Sequence, residues 1–363
     1  MSALGGITDS IDFNQVKRVL LIKLRNHGDV LLTSPVFATL KSAYPHLEID
    51  ALVYKETAPM LEGLPSMAQL HVIDKNWKKR GLWARLRAEY QLLSNLRRRQ
   101  YEVVLHLTNH SRGGWLAHFL RPQYAITYRC PKKGWLWHKG FSHFAHEVAF
   151  RHTVDRHLDA LRRVGFYPPS SHTPLQLEVN PIALTHIKAQ LQQHQLAEKQ
   201  FIVVHPGSRW LFKCWPETQV SALINQLCAR GERLIITGAP DPVEMEMLTR
   251  VLAGVSHPVL SWAGELTLQE LAAVISCAKA LIGVDSVPMH MAAALQIPVV
   301  ALFGPSSEVK WGPWQVKHKV VSSTDYACRP CDVDGCGGGR VSECLRAVSV
   351  GQVLQSLDEV LRE

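Results

Sequence analysis

The chain has 363 residues, 47% apolar and 20% charged. That suits a globular protein of two domains and excludes a disordered or fibrous one. No uninterrupted apolar run approaches the roughly 18 residues that span a bilayer. Residues 1–16 carry Asp9 and Asp12 and no apolar core segment, so no secretory signal is expected and a cytoplasmic location is. The formal charge is +9, from 40 Lys plus Arg against 31 Asp plus Glu, and the excess collects in the first half. Lys78, Lys79, Arg80, Arg85 and Arg87 form one basic group, Arg97, Arg98 and Arg99 a second, and Arg129, Lys132, Lys133 and Lys139 a third. Trp77, Trp83, Trp115, Trp135 and Trp137 lie among them. A solvated helix face accounts for any one group. Three together point to an anionic partner: nucleic acid, anionic lipid or a phosphorylated substrate.

In chain order, residues 16–24 (VKRVLLIKL) read as a buried strand, followed by Arg25-Asn26-His27-Gly28-Asp29 and an amphipathic helix ended by Pro45. Gly28 lets the backbone turn sharply or approach a ligand, and Asp29 lands at the helix start, where an N-cap alone is worth about 1 kcal/mol. Pro35 predicts a break near Ser34. Residues 48–53 and 70–73 read as strands, 77–99 as a basic helix, and 101–107 as a fourth strand leading to the turn 108–114 and another helix. Residues 125–128 give a short strand, and 153–165 a helix closed by Gly165. Residues 167–181, with Pro168, Pro169, Pro174 and Pro181, break the pattern and read as the interdomain linker.

Beyond it, 182–196 is helical, FIVVHPGS at 201–208 is a strand ending in Gly207-Ser208, and 234–237 is a strand ending at Gly238. Residues 267–277 form a helix. Residues 281–307, LIGVDSVPMHMAAALQIPVVALFGPSS, compress strand, polar turn, small-residue helix and strand into one βαβ unit. The tail from 348 reads as a final helix. Repeated strand–helix alternation predicts an α/β fold of two Rossmann-like, doubly wound domains facing across a cleft, over 1–175 and 176–363. No G-x-G-x-x-G or P-loop sequence occurs, which disfavours dinucleotide and P-loop readings.

Parallel strands put their carboxyl ends on one edge, where anionic ligands meet backbone N–H groups and helix N-termini. Four strand-end turns carry suitable groups: 23–29 in the first domain, and 205–213, 238–244 and 285–290 in the second. Ser208 and Lys213 could hold a diphosphate beside the N–H groups following Ser286, and Glu244 could bind ribose hydroxyls. Asp285 or Ser286 alone would read as a helix cap. The cluster Cys328-x2-Cys331-x4-Cys336-x7-Cys344 has spacing that permits a tetrahedral zinc site, or else reduced cysteines packing a Gly-rich loop. His138, His143, His146, His152 and His157 are spaced irregularly and read as surface residues on the acceptor side.

Three stretches carry a resemblance: LLIKLRNHGDVLLTSPVFATL, HPGSRWLFKCWP and GVDSVPMHMAAALQIPVVALFGPS. They are similar to the heptosyltransferases of bacterial lipopolysaccharide core synthesis, glycosyltransferase family 9 with the GT-B fold. VDSVPMHMAAAL and the tail CRPCDVDGCGGGRVSECL look most like the subgroup that adds the third heptose. The resemblance implies inverting, metal- and cofactor-independent transfer of L-glycero-D-manno-heptose from ADP-heptose to a phosphorylated, lipid-anchored inner-core heptose. It places Asp29 as general base, Lys23 beside it, and Ser208, Lys213, Glu244, Asp285, Ser286 and His290 at the donor. His27 and Arg112 are acceptor-side candidates. The cysteine cluster is familiar in the family without an accepted metal role. Val287-Pro288 departs from the family's usual glycine after Ser or Thr, and so puts the phosphate contacts at that turn in question. The implied partner for the basic first domain is the anionic inner leaflet. Another heptosyltransferase step, or a basic nucleic-acid- or membrane-binding protein with a vestigial cleft, are the alternatives.

Overall fold

The computed structural model describes residues 9–79, 81–168 and 173–362. Chain contacts divide it into two compact units, Met1–Glu178 and Val179–Glu363. The sequence places the boundary three residues earlier, at 175/176.

The first unit runs β1 (Arg18–Ile22), α1 (His27–Leu31), α2 (Ser34–Ala43), β2 (Glu48–Tyr54), β3 (Gln69–Ile73), α3 (Leu82–Arg98), β4 (Val103–His106), α4 (Ser111–Leu120), β5 (Tyr124–Tyr128), α5 (Trp135–His138), β6 (His143–Ala145) and α6 (Thr153–Arg162). Among the described residues its sheet has six parallel strands in the order β3-β2-β1-β4-β5-β6. β1 is central, and Val19, Leu20, Leu21 and Ile22 are all fully buried. A parallel strand covered on both faces must be apolar throughout, which explains its unalternating sequence. Leu20, Ile22, Val104 and Ala125 pack with Leu92 and Leu96 of α3 on one face. Each fully buried Leu, Ile or Val side chain in this layer contributes about 1.5–3 kcal/mol.

The second unit runs α7 (Pro181–Gln193), β7 (Phe201–His205), α8 (Glu217–Ala229), β8 (Arg233–Ile236), α9 (Pro242–Ala253), β9 (Leu260–Ser261), α10 (Leu268–Cys277), β10 (Ala280–Val284), α11 (Val287–Ala294), β11 (Val299–Leu302), α12 (Glu308–Trp311), β12 (His318–Val321), α13 (Glu343–Arg346) and α14 (Val350–Arg362). Its parallel strands run β12-β11-β10-β7-β8-β9, which is the same connectivity as the first unit. In each unit the chain lays three strands outward from the centre, then returns to the first strand's other side. The reversal falls between β1 and β4, and between β7 and β10. A crevice opens at such a point because the flanking loops leave in opposite directions. Helix α14 closes the second core with Val353, Leu354, Leu357 and Val360, spaced for one helical face.

Three local expectations change. The helix expected over 77–99 is split: a 3-10 turn covers Lys75–Lys79, and α3 starts only after Gly81. The break expected at Pro35 separates α1 from α2, with Pro35 in the first turn of α2, where its missing N–H costs nothing. The expected linker is shorter. Pro181 opens α7 behind an Asn180 cap, and Leu175 and Leu177 are buried, with the Gln176 N–H donating to Ser34 Oγ at 2.9 Å. Pro169 and Arg80 lie outside the described residues.

Candidate active site

At the β1/β4 switch point the strand register aligns Ile22 with His106, so the residues that follow each strand are neighbours. Lys23 is 5% exposed. Its Nζ donates to Leu107 O at 3.0 Å, contacts His157 Nε2 at 2.9 Å and lies 3.5 Å from Asp29 Oδ1. Burial pushes the Lys23 ammonium down to about 8, against the pull of the Asp29 carboxylate, which raises it. Asp29 is not an N-cap. Asn26 occupies that position without a side-chain capping bond, and Asp29 sits in the first turn of α1 with its side chain partly open. A carboxylate beside a buried ammonium is oriented by it. It can accept a proton from a hydroxyl brought to that edge.

In the second unit, β7 ends at His205 and the chain passes through Gly207 and Ser208 into a 3-10 turn, Leu211–Lys213. Lys213 Nζ donates to Asp285 Oδ2 at 2.6 Å, across the β7/β10 switch point. Asp285 is therefore spoken for by a lysine and does not cap α11. Ser286 is the N-cap residue, yet its hydroxyl donates back to Val284 O at 3.3 Å. The helix's leading N–H groups thus keep no side-chain partner from the cap. Val287 is the first helical residue and is not among the positive-φ positions, so its β-branch is unstrained. Pro288, second in the helix, removes one of four N–H groups that have no intrahelical acceptor. Ala292 and Ala293 are fully buried, so α11 lies close on the sheet; His290 is buried on the same helix.

Glu244 is 3% exposed and its Oε1 accepts from Ala239 N at 2.8 Å. Burial raises its carboxyl, opposed by that hydrogen bond. Gly207 makes this possible: a Cβ there would stand 2.2 Å from Glu244 Oε1. His205 touches the same oxygen at 3.7 Å and pairs with Thr237 Oγ1 at 2.9 Å, and burial pushes its imidazole down to about 4, so it is neutral. Ser208, Lys213, Glu244, Asp285 and Ser286 thus gather at the carboxyl ends of β7, β8 and β10.

Other sequence candidates are engaged elsewhere. His27 Nε2 pairs with Glu56 O at 2.8 Å, and Arg112 pairs with Glu89 over the Trp77 ring. Within the second basic group, Arg99 turns inward to bind Asp50 with two hydrogen bonds, at 2.7 and 3.1 Å. His143 and His157 are buried, not surface residues. Among the described residues no group of three or more His, Cys, Asp or Glu is placed to hold a metal. Cys328 and Cys336 are exposed, Cys331 half-buried and Cys344 buried, all four free. The cysteine segment is anchored instead by Arg329, which donates to Gly304 O and Ser323 O, and by the Cys331 and Asp332 N–H groups on Pro305 O. The chain's one Asp-x-Asp, Asp332-Val333-Asp334, is in this segment, with Asp332 paired to Lys310. His157, expected at the surface with the other histidines, is carried inward by its spacing with Val154, Leu158 and Leu161, which puts it on the buried face of α6.

Two doubly wound domains of identical strand order, each with a lysine–carboxylate pair at its switch point, make up the two-domain α/β fold of the GT-B class. The chain belongs to glycosyltransferase family 9 (heptosyltransferase), whose profile matches residues 90–341. It is 31% identical over 319 residues to lipopolysaccharide heptosyltransferase 3 of Escherichia coli, covering 85% of this chain and 89% of that one. The fold is similar to a glycosyltransferase family 9 protein from Veillonella parvula (TM-score 0.83, 22% identity, covering 98% and 99% of the two chains). It is also similar to E. coli heptosyltransferase WaaC with ADP (TM-score 0.70, 21% identity, covering 94% and 99%).

Proposed function

We propose that this chain transfers L-glycero-D-manno-heptose from ADP-heptose to a heptose of the lipopolysaccharide inner core, with inversion at the anomeric carbon. The observation that carries this reading is Asp29, a carboxylate held 3.5 Å from a buried ammonium at a switch point, in a chain related to a lipopolysaccharide heptosyltransferase 3. Asp29 takes the proton of the acceptor hydroxyl as its oxygen bonds to the anomeric carbon. The bond from that carbon to the ADP oxygen breaks, and the departing diphosphate gains charge. Lys213, Ser208 and the leading N–H groups of α11 receive that charge, and Glu244 takes the ribose hydroxyls. Asp285 keeps Lys213 extended toward the diphosphate.

The acceptor is lipid-anchored, and α3 supports docking of the first unit on an anionic leaflet. Leu82, Trp83, Leu86 and Tyr90 are 66%, 83%, 49% and 74% exposed, and fall within about 100° of one helix face. Arg85 and Arg87, both exposed, flank that ridge. Aromatic and aliphatic side chains bordered by cations suit a lipid interface better than open water. The decisive experiment incubates the protein with ADP-heptose and defined cores bearing one or two heptoses, and weighs the products. A mass gain of one heptose on the two-heptose core supports the third-heptose step. Gain on the one-heptose core alone assigns a different step, and no gain on either overturns the reading.

A further inference from the structure

His157 contacts both structures that fix Asp29. Its Nδ1 lies 3.0 Å from Leu32 O, the residue that closes α1, and its Nε2 lies 2.9 Å from Lys23 Nζ. A carbonyl can only accept, so Nδ1 carries the proton and Nε2 offers its lone pair to the ammonium. We propose that His157 is a positioning residue for the transfer: it clips the end of the Asp29 helix and, with Leu107 O, takes two N–H groups of Lys23 so that the third points at Asp29. This rests on the reading of Asp29 as base.

The stoichiometry is the core of the argument. An ammonium has three N–H groups and three acceptors surround this one: Leu107 O, His157 Nε2 and Asp29 Oδ1. When Lys23 loses a proton, two N–H groups and a lone pair remain for three acceptors. Leu107 O is backbone and His157 is 1% exposed inside α6, so Asp29, the most open of the three, is the one released. The charged and titratable groups facing Lys23 are Asp29 of α1, His157 and Arg156 of α6, Arg25 of the β1–α1 loop and His106 of β4. His106 and His157 are both buried and held neutral, His106 pushed down to about 3. Among these five, Asp29 alone favours the charged lysine by Coulomb attraction, and Arg25 and Arg156 oppose it. Losing the His157 acceptor therefore lets Lys23 deprotonate at lower pH.

The test compares His157→Met, which fills similar volume without ring nitrogens, with His157→Gln, whose amide can accept from Lys23 and donate to Leu32 O. For His157→Met, kcat near neutral pH should fall about tenfold with the ADP-heptose KM within about twofold, and the alkaline limb of kcat should move down by about one pH unit. His157→Gln should restore both to within about threefold. An unmoved alkaline limb in His157→Met, or a loss in His157→Gln equal to that in His157→Met, overturns the proposal. If His157→Met does not fold, His157→Asn, which can keep one contact but not both, replaces it and must lie between wild type and inactive. NMR titration of labelled lysine reads the Lys23 midpoint directly. A lowered midpoint in the variant confirms the contact even if Asp29→Asn proves active, which would fault the base assignment alone.

Discussion

Lys213 and Asp285 meet at 2.6 Å across the β7/β10 switch point, with Asp285 7% exposed and Lys213 open enough to reach a ligand. In the proposed function the pair is a poised cation: the aspartate fixes the ammonium's position while leaving N–H groups for a second anion. Lys213→Ala should weaken ADP binding about ten- to a hundredfold, the range of a charge-assisted hydrogen bond. Asp285→Asn should weaken it less. In a calorimetric double-mutant cycle the two losses should fall short of additive, since both act through one ammonium.

Asp29→Asn keeps shape and removes basicity. It should lower kcat by about 10²- to 10⁴-fold while ADP affinity, assigned by the proposed function to the other unit, stays within about twofold. Steady-state transfer rates beside ADP titration read both quantities. Unchanged turnover would remove Asp29 from the mechanism.

Lys23 should make stability depend on pH in an unusual direction. The unfolded chain holds this proton up to its ordinary value of 10.5, whereas the folded chain releases it near 8. Between those values the unfolded state binds more protons, so stability rises with pH there, by about 3 kcal/mol from this group. Lys23→Met should lack that rise. Urea unfolding of both proteins on either side of the window measures the difference.

Asp50, fully buried on β2, accepts from Arg99 and from Tyr101 at 2.6 Å, and lies 3.5 Å from His71. Burial would raise its carboxyl, but the hydrogen bonds from His71, Arg99 and Tyr101 prevail and hold it below its ordinary value. Asp50→Ala removes the acceptor that Arg99 and Tyr101 share, leaving Glu48 to Arg99 and His71 to Tyr101, and should cost about 1–3 kcal/mol in chemical unfolding. The wild-type contribution is present above the ordinary carboxyl pKa and is lost as acid protonates the folded carboxyl.

Replacing Trp83 and Tyr90 together with Ser should lower affinity for vesicles containing anionic lipid about tenfold or more and leave transfer to a detergent-dispersed acceptor near wild type. Added salt should weaken wild-type binding through the Arg85 and Arg87 contribution. Equal vesicle binding by both proteins would place any membrane contact elsewhere.

Much of this architecture is written locally. Unalternating apolar runs such as RVLLI and FIVVH can only be central parallel strands, and the polar turns behind them announce the ligand edge. The break at Pro35 follows from a fixed φ and a missing N–H. The helix expected over 77–99 begins only at Leu82, because basic and apolar residues keep helical spacing through Gly81, and spacing does not register a residue that favours stopping the helix. Arg99 shows a second limit. Within the run Arg97-Arg98-Arg99 nothing distinguishes the residue that turns inward, because its partner Asp50 is 49 positions away.

By itself, the sequence determined which residues stand at strand ends: Lys23, Asp29, Ser208, Lys213, Asp285 and Ser286 are placed there by periodicity and turn chemistry. The tertiary structure alone decided which of them face one another. Asp285 could have capped α11, and became instead the partner of Lys213; His157 left the surface to complete the coordination of Lys23. Both outcomes depend on strand order, which brings β1 beside β4 and β7 beside β10, and strand order is a property of long-range packing that no local pattern encodes.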